Sequence, residues 1–410
     1  MAKSHHWTFK ARFRAKAYGW RGTALASKRL KEAVSEINKV AKSDPVLAAD
    51  GAVALMEHLW PSLEAIDTSS GSLGNAVHRT LNALIPPLIE APADLKTRAK
   101  WMERLYGAVL EDGVEYLMPV EERWGDICVF PELASRWADQ LAPMVREGWS
   151  RDERHVWVVG ATICLSSLLA SGRYAELDSM LALQSGTYWH FGQFRAQALA
   201  RQGRIDEAIQ YAESHLRNVY DSGKLGAEGF CERVLLAAGR RDEAYQRYGL
   251  AVTGGTTNLA AYRRLLQKYP ERDPRQALLD LIKARGGKGK WFAAAKDAGY
   301  LDIALDCAHD ILAEPSTLIR AGRDFVEKEA AFAAQVSLCA IKHLLNGRGY
   351  EPTELDILSA YTHLMAAAGK CGLTEWAKSE VQTLTTGGAA PGAEVMLKAL
   401  VAHTRRNRRE

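Results

Sequence analysis

The chain is predicted to fold as an all-α solenoid of helix hairpins, on three observations. The line GRxDEA occurs twice, as Gly203-Arg204-Ile205-Asp206-Glu207-Ala208 and, thirty-six residues on, as Gly239-Arg240-Arg241-Asp242-Glu243-Ala244. Each copy follows an apolar helix and opens another, the mark of stacked helical repeats. Apolar residues recur at helical spacing almost throughout, and no sustained alternating run points to a strand. The expected architecture is a right-handed superhelical array of antiparallel helix pairs with an extended N-terminal arm.

In order along the chain, residues 1–22 read as a basic, aromatic-dotted arm. Leu25, Leu30, Val34, Ile37 and Val40 share one helical face. Asp44-Pro45 supplies an N-cap followed by proline at the first helical position. The helix it opens carries Leu47, Val53, Leu55, Met56 and Leu59, and Pro61 is expected to stop or kink it. The Ser/Gly-rich stretch Asp67 to Gly74 is a turn. The next helix carries Val77, Leu81, Leu84 and Ile85, and Pro86-Pro87 is expected to break or bend it. Asp94 caps a helix containing Trp101, Met102 and Leu105. Helices follow near 115–123, 131–146 and 152–170, with Pro143 bending the second. From there the hairpin turns recur at Gly172, Gly203, Gly239, Gly299 and Gly369. In each the glycine is expected to end one helix at positive φ, and acidic residues favour the first turn of the next. This divides the chain into an arm (1–22), an irregular helical lobe (23–150), a repeat region (151–400) and a basic tail (401–410).

The chain of 410 residues is 47% apolar and 25% charged, the composition of an ordered globular protein. Its net charge of +4 is unevenly spread: residues 1–40 carry +8 and 401–410 carry +3, which leaves −7 for the body. Basic arms attract polyanions or simply solubilise. The six cysteines, at 128, 164, 231, 307, 339 and 371, form no CxxC pair and sit in apolar helical contexts, as buried thiols of a reducing compartment do. No secretory signal is visible, and the longest uncharged stretch, 155–172, reads as a buried helix. A cytoplasmic protein without membrane segments is expected.

Three motifs bear on function. In the arm, Lys10, Arg12, Arg14, Lys16 and Arg21 interleave with Trp7, Phe9, Phe13, Tyr18 and Trp20. Cations on phosphates with aromatics stacked on bases is one reading. The arm laid as an extended segment along its own solenoid is the other, since alternation over 9–16 would part the two residue types. The loop Lys283 to Lys290, with Arg285, Lys288 and Lys290 among three glycines, lacks the GxxxxGK[ST] spacing and reads as an interhelical loop or an anion site. The cluster Tyr188-Trp189-His190-Phe191 suits either a partner-binding groove or packing between repeats. No HExxH, zinc-ligand spacing or GxSxG elbow occurs, so no metal, cofactor or catalytic residue is assigned.

Four stretches carry a resemblance: Phe13 to Gly22 (FRAKAYGWRG), Lys28 to Ile37 (KRLKEAVSEI), Pro131 to Asp139 (PELASRWAD) and Leu355 to Met365 (LDILSAYTHLM). Together they resemble an uncharacterised bacterial family of cytoplasmic proteins with TPR-like helical repeats. The chain is also similar, more loosely, to tetratricopeptide-type repeats, from which it departs in varying repeat length and in losing the motif before residue 150. The resemblance implies a helical-repeat fold and brings no activity or site residue with it.

The function expected is a non-enzymatic scaffold or adaptor that binds a protein or peptide partner, with self-association through an uncapped end repeat. The second reading is a nucleic-acid-associated protein using the arm and the 283–290 loop. The third is an enzyme, which a deep pocket holding a His beside a carboxylate with a shifted pKa would mark.

Overall fold

The structure is a computed structural model that describes residues 5–150, 157–184, 188–216 and 223–406. Among these residues every regular element is helical and no strand occurs. Two compact units partition the chain, Met1–Val234 and Leu235–Glu410. The first holds α1 (Thr23–Ala41), α2 (Pro45–Glu57), α3 (Leu59–Leu63), α4 (Ser72–Glu90), α5 (Leu95–Glu111), α6 (Met118–Glu122), α7 (Trp124–Cys128), α8 (Pro131–Ser150), α9 (Ala161–Ala170), α10 (Tyr174–Leu181), α11 (Trp189–Arg201), α12 (Ile205–His215) and most of α13 (Lys224–Ala237). The second holds α14 (Arg241–Ala244), α15 (Leu250–Val252), α16 (Asn258–Lys268), α17 (Pro274–Arg285), α18 (Phe292–Asp297), α19 (Leu301–Ala308), α20 (Pro315–Phe325), α21 (Ala330–Leu345), α22 (Glu354–Cys371), α23 (Thr374–Gly387) and α24 (Glu394–Arg406). A π-turn, Tyr245–Gly249, joins α14 to α15. Sequence neighbours pack on each other, as α8 does on α9, α11 on α12, and α21 on both α20 and α22. That is local, repeat-like packing of helix pairs.

The hairpin turns share one geometry. Gly172, Gly203 and Gly239 have φ of 72°, 77° and 75°. At Gly203 the glycine N–H donates to Ala200 O and the next N–H, of Arg204, reaches back to Leu199 O, both at 3.0 Å. Arg173 repeats the longer bond to Leu168 O, and Arg240 repeats it to Leu235 O. These are Schellman termini, which satisfy carbonyls that a helix end leaves without partners. Each arginine then pairs with a glutamate three residues on, Arg173 with Glu176, Arg204 with Glu207 and Arg240 with Glu243. Gly299 and Gly347 close helices in the same way. The last turn is shifted from expectation. Gly369 lies inside α22, and Gly372, at φ 74°, ends it.

The prolines do less than expected. Helix α4 runs through Pro86 and Pro87, and α8 runs through Pro143. Each ring displaces a hydrogen bond to the carbonyl four residues earlier. Those carbonyls belong to Asn82, Ala83 and Asp139, all exposed residues on the outer side of their helices. The opposite face, Leu81, Leu84, Ile85 and Leu88 in α4, is buried and holds the helix. Near Pro61 the break falls earlier, at His58, and Pro61 sits within the short α3. The expected 152–170 helix begins only at Ala161; its first residues, 151–156, and the last four of the basic tail lie outside the described residues.

The arm is folded. Thr8–Ala11 is a 3-10 turn, where an extended segment was expected. Trp7, Phe9, Phe13 and Tyr18 are buried in the core of the first unit, whereas Trp20 is 68% exposed. Glu36 of α1 accepts hydrogen bonds from the N–H groups of Thr8 and Phe9 at 2.7 and 3.2 Å. The Trp7 ring lies over Gly51 of α2 so closely that a Cβ there would stand 2.3 Å from it. Aromatic area outweighs alternation in this segment, because each buried ring removes far more apolar surface than an extended arm can. Deeper in the unit, Arg98 of α5 is 1% exposed and has no carboxylate beside it. Its guanidinium donates to Leu88 O, Ile89 O and Ala91 O at the end of α4, and to Ile127 O of α7. No helix among the described residues is long and apolar enough to cross a membrane.

Two substitutions test these contacts. Nothing lies within 4 Å of a Cβ built on Gly203, so Gly203→Ala should cost about 1–2 kcal/mol through backbone conformation alone, and Gly203→Asn distinctly less. Urea denaturation of the two variants measures the difference. Gly51→Ala should displace Trp7 and destabilise by about 1–3 kcal/mol, with a red shift of tryptophan emission.

Candidate functional site

The start of α11 is set by Tyr188, whose carbonyl accepts from the N–H groups of Phe191 and Gly192. This turn distributes the aromatic cluster around the helix. Trp189 is 6% exposed and packs edge-on against His215 of α12 and beside Phe230 of α13. Phe191 is 7% exposed and meets Trp149 of α8 edge-on, with centroids 5.2 Å apart. These two rings join repeats. Tyr188 remains 42% exposed, and Trp157, just before α9, 50%. Trp157 lies tilted over His190, with ring centroids 5.9 Å apart.

All four cluster residues line one cleft of about 670 Å³ in the first unit. Its other walls include Glu115, Met118 and Glu122 around α6, and Arg233 of α13. Cavities of this kind, roughly 300–1,000 Å³ with aromatic walls and few polar groups, hold ligands or anchoring side chains. The sequence signalled the aromatic wall but not the acidic one. Glu121 and Glu122 read as solvated helix-start charges, and nothing in their spacing links them to residue 190.

Glu122 is held in place from three sides. Its backbone carbonyl accepts from Ser166 Oγ of α9 at 3.0 Å, and Ser166 Oγ in turn accepts from the N–H of Gly125. Gly125 has no side chain because α9 backbone occupies that space; a Cβ would stand 2.2 Å from Ser166 O. The carboxylate receives Gln193 Nε2 at 3.0 Å and lies 3.4 Å from His190 Nδ1. On the far side of the imidazole, Nε2 is 2.9 Å from Thr162 Oγ1. Both ring nitrogens are thereby engaged, so His190 offers the cleft no lone pair. Thr162 is 1% exposed, out of reach of a substrate.

The two adjacent carboxyls titrate apart. Burial would raise Glu122, but the bonds from His190 and Gln193 outweigh it and hold the group below its ordinary value as an anion. Glu121, 7% exposed, is pushed up to about 7 by burial, with Glu115, Asp112 and Glu122 adding repulsion and His190 opposing it. A His beside a carboxylate with a shifted pKa, the sequence-derived mark of the enzyme class, is therefore present.

The charged candidates fall elsewhere. In the arm, Arg12 pairs with Glu32 at 2.6 Å, while Lys10, Arg14, Lys16 and Arg21 are exposed. Four of the five arm aromatics are buried and withdrawn from base stacking. In the second unit, Arg285 donates to Leu250 O and Thr253 O and so caps α15, and Lys288 pairs with Asp306. Gly289 packs on the backbone of Leu312 and Ala313, where a Cβ would stand 2.2 Å from Ala313 N. Gly286 and Gly287 take positive φ and Gly289 alone is closely packed; Lys290 stays exposed. No group of three His, Cys, Asp or Glu suited to a metal ion occurs among the described residues. Comparisons with protein-family profiles, curated proteins and solved structures find no match for this chain.

Glu121 gives a pH signature. Its folded pKa of about 7 lies above the ordinary 4.5, so the folded state keeps the proton longer. Stability from this group is greatest below 4.5, falls as pH rises through the window to about 7, and is flat above it. Glu121→Gln should abolish that fall and be the more stable protein at pH 8, by at most about 3 kcal/mol. Denaturation curves of both proteins at pH 5 and pH 8 provide the check.

Proposed function

We propose that this chain is a TPR-like helical-repeat scaffold that holds a peptide partner in the cleft between α6, α9, α11 and α13, without covalent chemistry. The observation that carries the reading is the pair of half-exposed aromatics, Trp157 and Tyr188, standing on walls made rigid by buried Trp189 and Phe191. Exposed aromatic rings around a preformed cleft are the usual anchors of peptide recognition, because their area is large and few torsions must be frozen. The cytoplasm is the compartment this reading assigns, on the strength of buried free thiols.

An enzyme is the second reading, supported by Glu121, Glu122 and His190 lying together. It is weakened by the engagement of both imidazole nitrogens and by the burial of Thr162, which leave no group placed as nucleophile or free base. The nucleic-acid reading loses support from the buried arm aromatics and retains the exposed cations.

The test is selection of peptides from a displayed library on the full-length protein, followed by titration against Trp157→Ala. Peptides that bind the parent and lose at least about tenfold in affinity on Trp157→Ala support the cleft as the binding site. Enriched peptides that bind the variant equally well would remove it. Binding that collapses as salt is raised and is competed by nucleic acid would favour the basic arm instead.

A further inference from the structure

We infer that the cleft selects a peptide bearing an alkylammonium side chain, lysine or its methylated forms, seated on the exposed faces of Trp157 and Tyr188 with its charge toward Glu122. The inference rests on the peptide-holding reading of the same cleft and specifies what that peptide carries.

Three features converge. Trp and Tyr faces attract cations through the ring quadrupole, most strongly for Trp. Here both residues are about half exposed and line the cleft. His190, packed against Trp157 and Phe191, sits between these rings and Glu122 and fixes their spacing. Glu122 places an anion in the same cleft, its carboxylate steadied by Gln193 at 3.0 Å, and Glu115 adds a second carboxylate.

Other occupants are disfavoured by the same walls. A neutral apolar anchor would strip water from Glu122 without replacing it, and an ionised carboxylate covered by hydrocarbon costs several kcal/mol, on the order of a failed buried ion pair. An anionic anchor would meet Glu115 and Glu122 directly. Among the described residues Arg233 is the one Lys or Arg on the lining and opposes a cation. Two carboxylates outnumber it, and its opposition supplies a test that a purely hydrophobic cleft would not pass. The cleft volume of about 670 Å³ exceeds an ammonium head many times over, which leaves room for N-methyl groups and the flanking peptide.

The experiment titrates full-length protein with three capped peptides of one sequence, carrying lysine, trimethyl-lysine or norleucine at the centre, read by tryptophan emission and calorimetry. The two cationic peptides should bind at least about tenfold more tightly than the norleucine peptide. Glu122→Gln should erase that preference, and Arg233→Gln should tighten the cationic peptides severalfold. Should Glu122→Gln fail to fold by circular dichroism, Glu115→Gln, at an exposed position, carries the same expectation with a smaller loss. A norleucine peptide bound as tightly as lysine, cationic peptides weakened by Arg233→Gln, or no binding by any of the three would overturn the inference. If norleucine binds equally and Trp157→Ala abolishes that binding, the peptide-holding reading survives while the cation is wrong. Library-selected peptides that ignore Trp157→Ala would remove both.

Discussion

The constraint on which this structure depends is the helix end. Each hairpin must stop one helix, reverse the chain and start the next within a few residues, and it must find partners for carbonyls that the first helix leaves open. Glycine at φ near 75° lets the following arginine N–H reach back five residues, and the arginine side chain then grips the glutamate one turn into the next helix. One short line of sequence thus supplies the stop, the reversal and the start. The exposed ion pairs contribute little individually. The left-handed glycine is the part that side-chain packing has no means to replace.

Where that turn is absent, the first 150 residues use a different solution to the same problem. The carbonyls ending α4, together with one from α7, converge on a single buried guanidinium, that of Arg98. A buried cation is tolerated when several carbonyl dipoles surround it, and its burial pulls the guanidinium below its ordinary value. Asp44 and Asp94 cap helix starts nearby, each accepting from the N–H three residues on. The irregular lobe thus adds one long-range side-chain cap, that of Arg98, to local ones, while the repeats are held by caps written into adjacent residues.

The cleft follows from these helix ends. Glu122 comes from the end of the short α6, Trp157 from the segment before α9, Tyr188 and His190 from the start of α11. Side chains at helix termini are freed from the packed faces and converge where termini gather. Buried neighbours fix them: Trp189 and Phe191 brace α11, and Ser166 and Gly125 press α7 against α9. The result joins aromatic residues to an anion in one cleft.

The sequence by itself determined the all-helical class, the positions of the turns at Gly172, Gly203 and Gly239, and the caps at Asp44 and Asp94. Each of these is a local matter of torsion and of hydrogen bonds spanning a few residues, so the residue types involved announce it. The same local reasoning identified Tyr188 to Phe191 as a cluster of interest. Tertiary structure alone decided what the cluster does, because Trp189 and Phe191 turn inward while Tyr188 stays out, according to where α8, α12 and α13 lie. It decided that Pro86, Pro87 and Pro143 leave their helices intact, since the displaced carbonyls belong to exposed residues. It folded the arm onto α1 and α2, and drew Glu122 to a histidine sixty-eight residues away. Contacts across such distances depend on the packing of whole helices, whose free energy is a sum over many weak contacts that no short stretch of sequence displays.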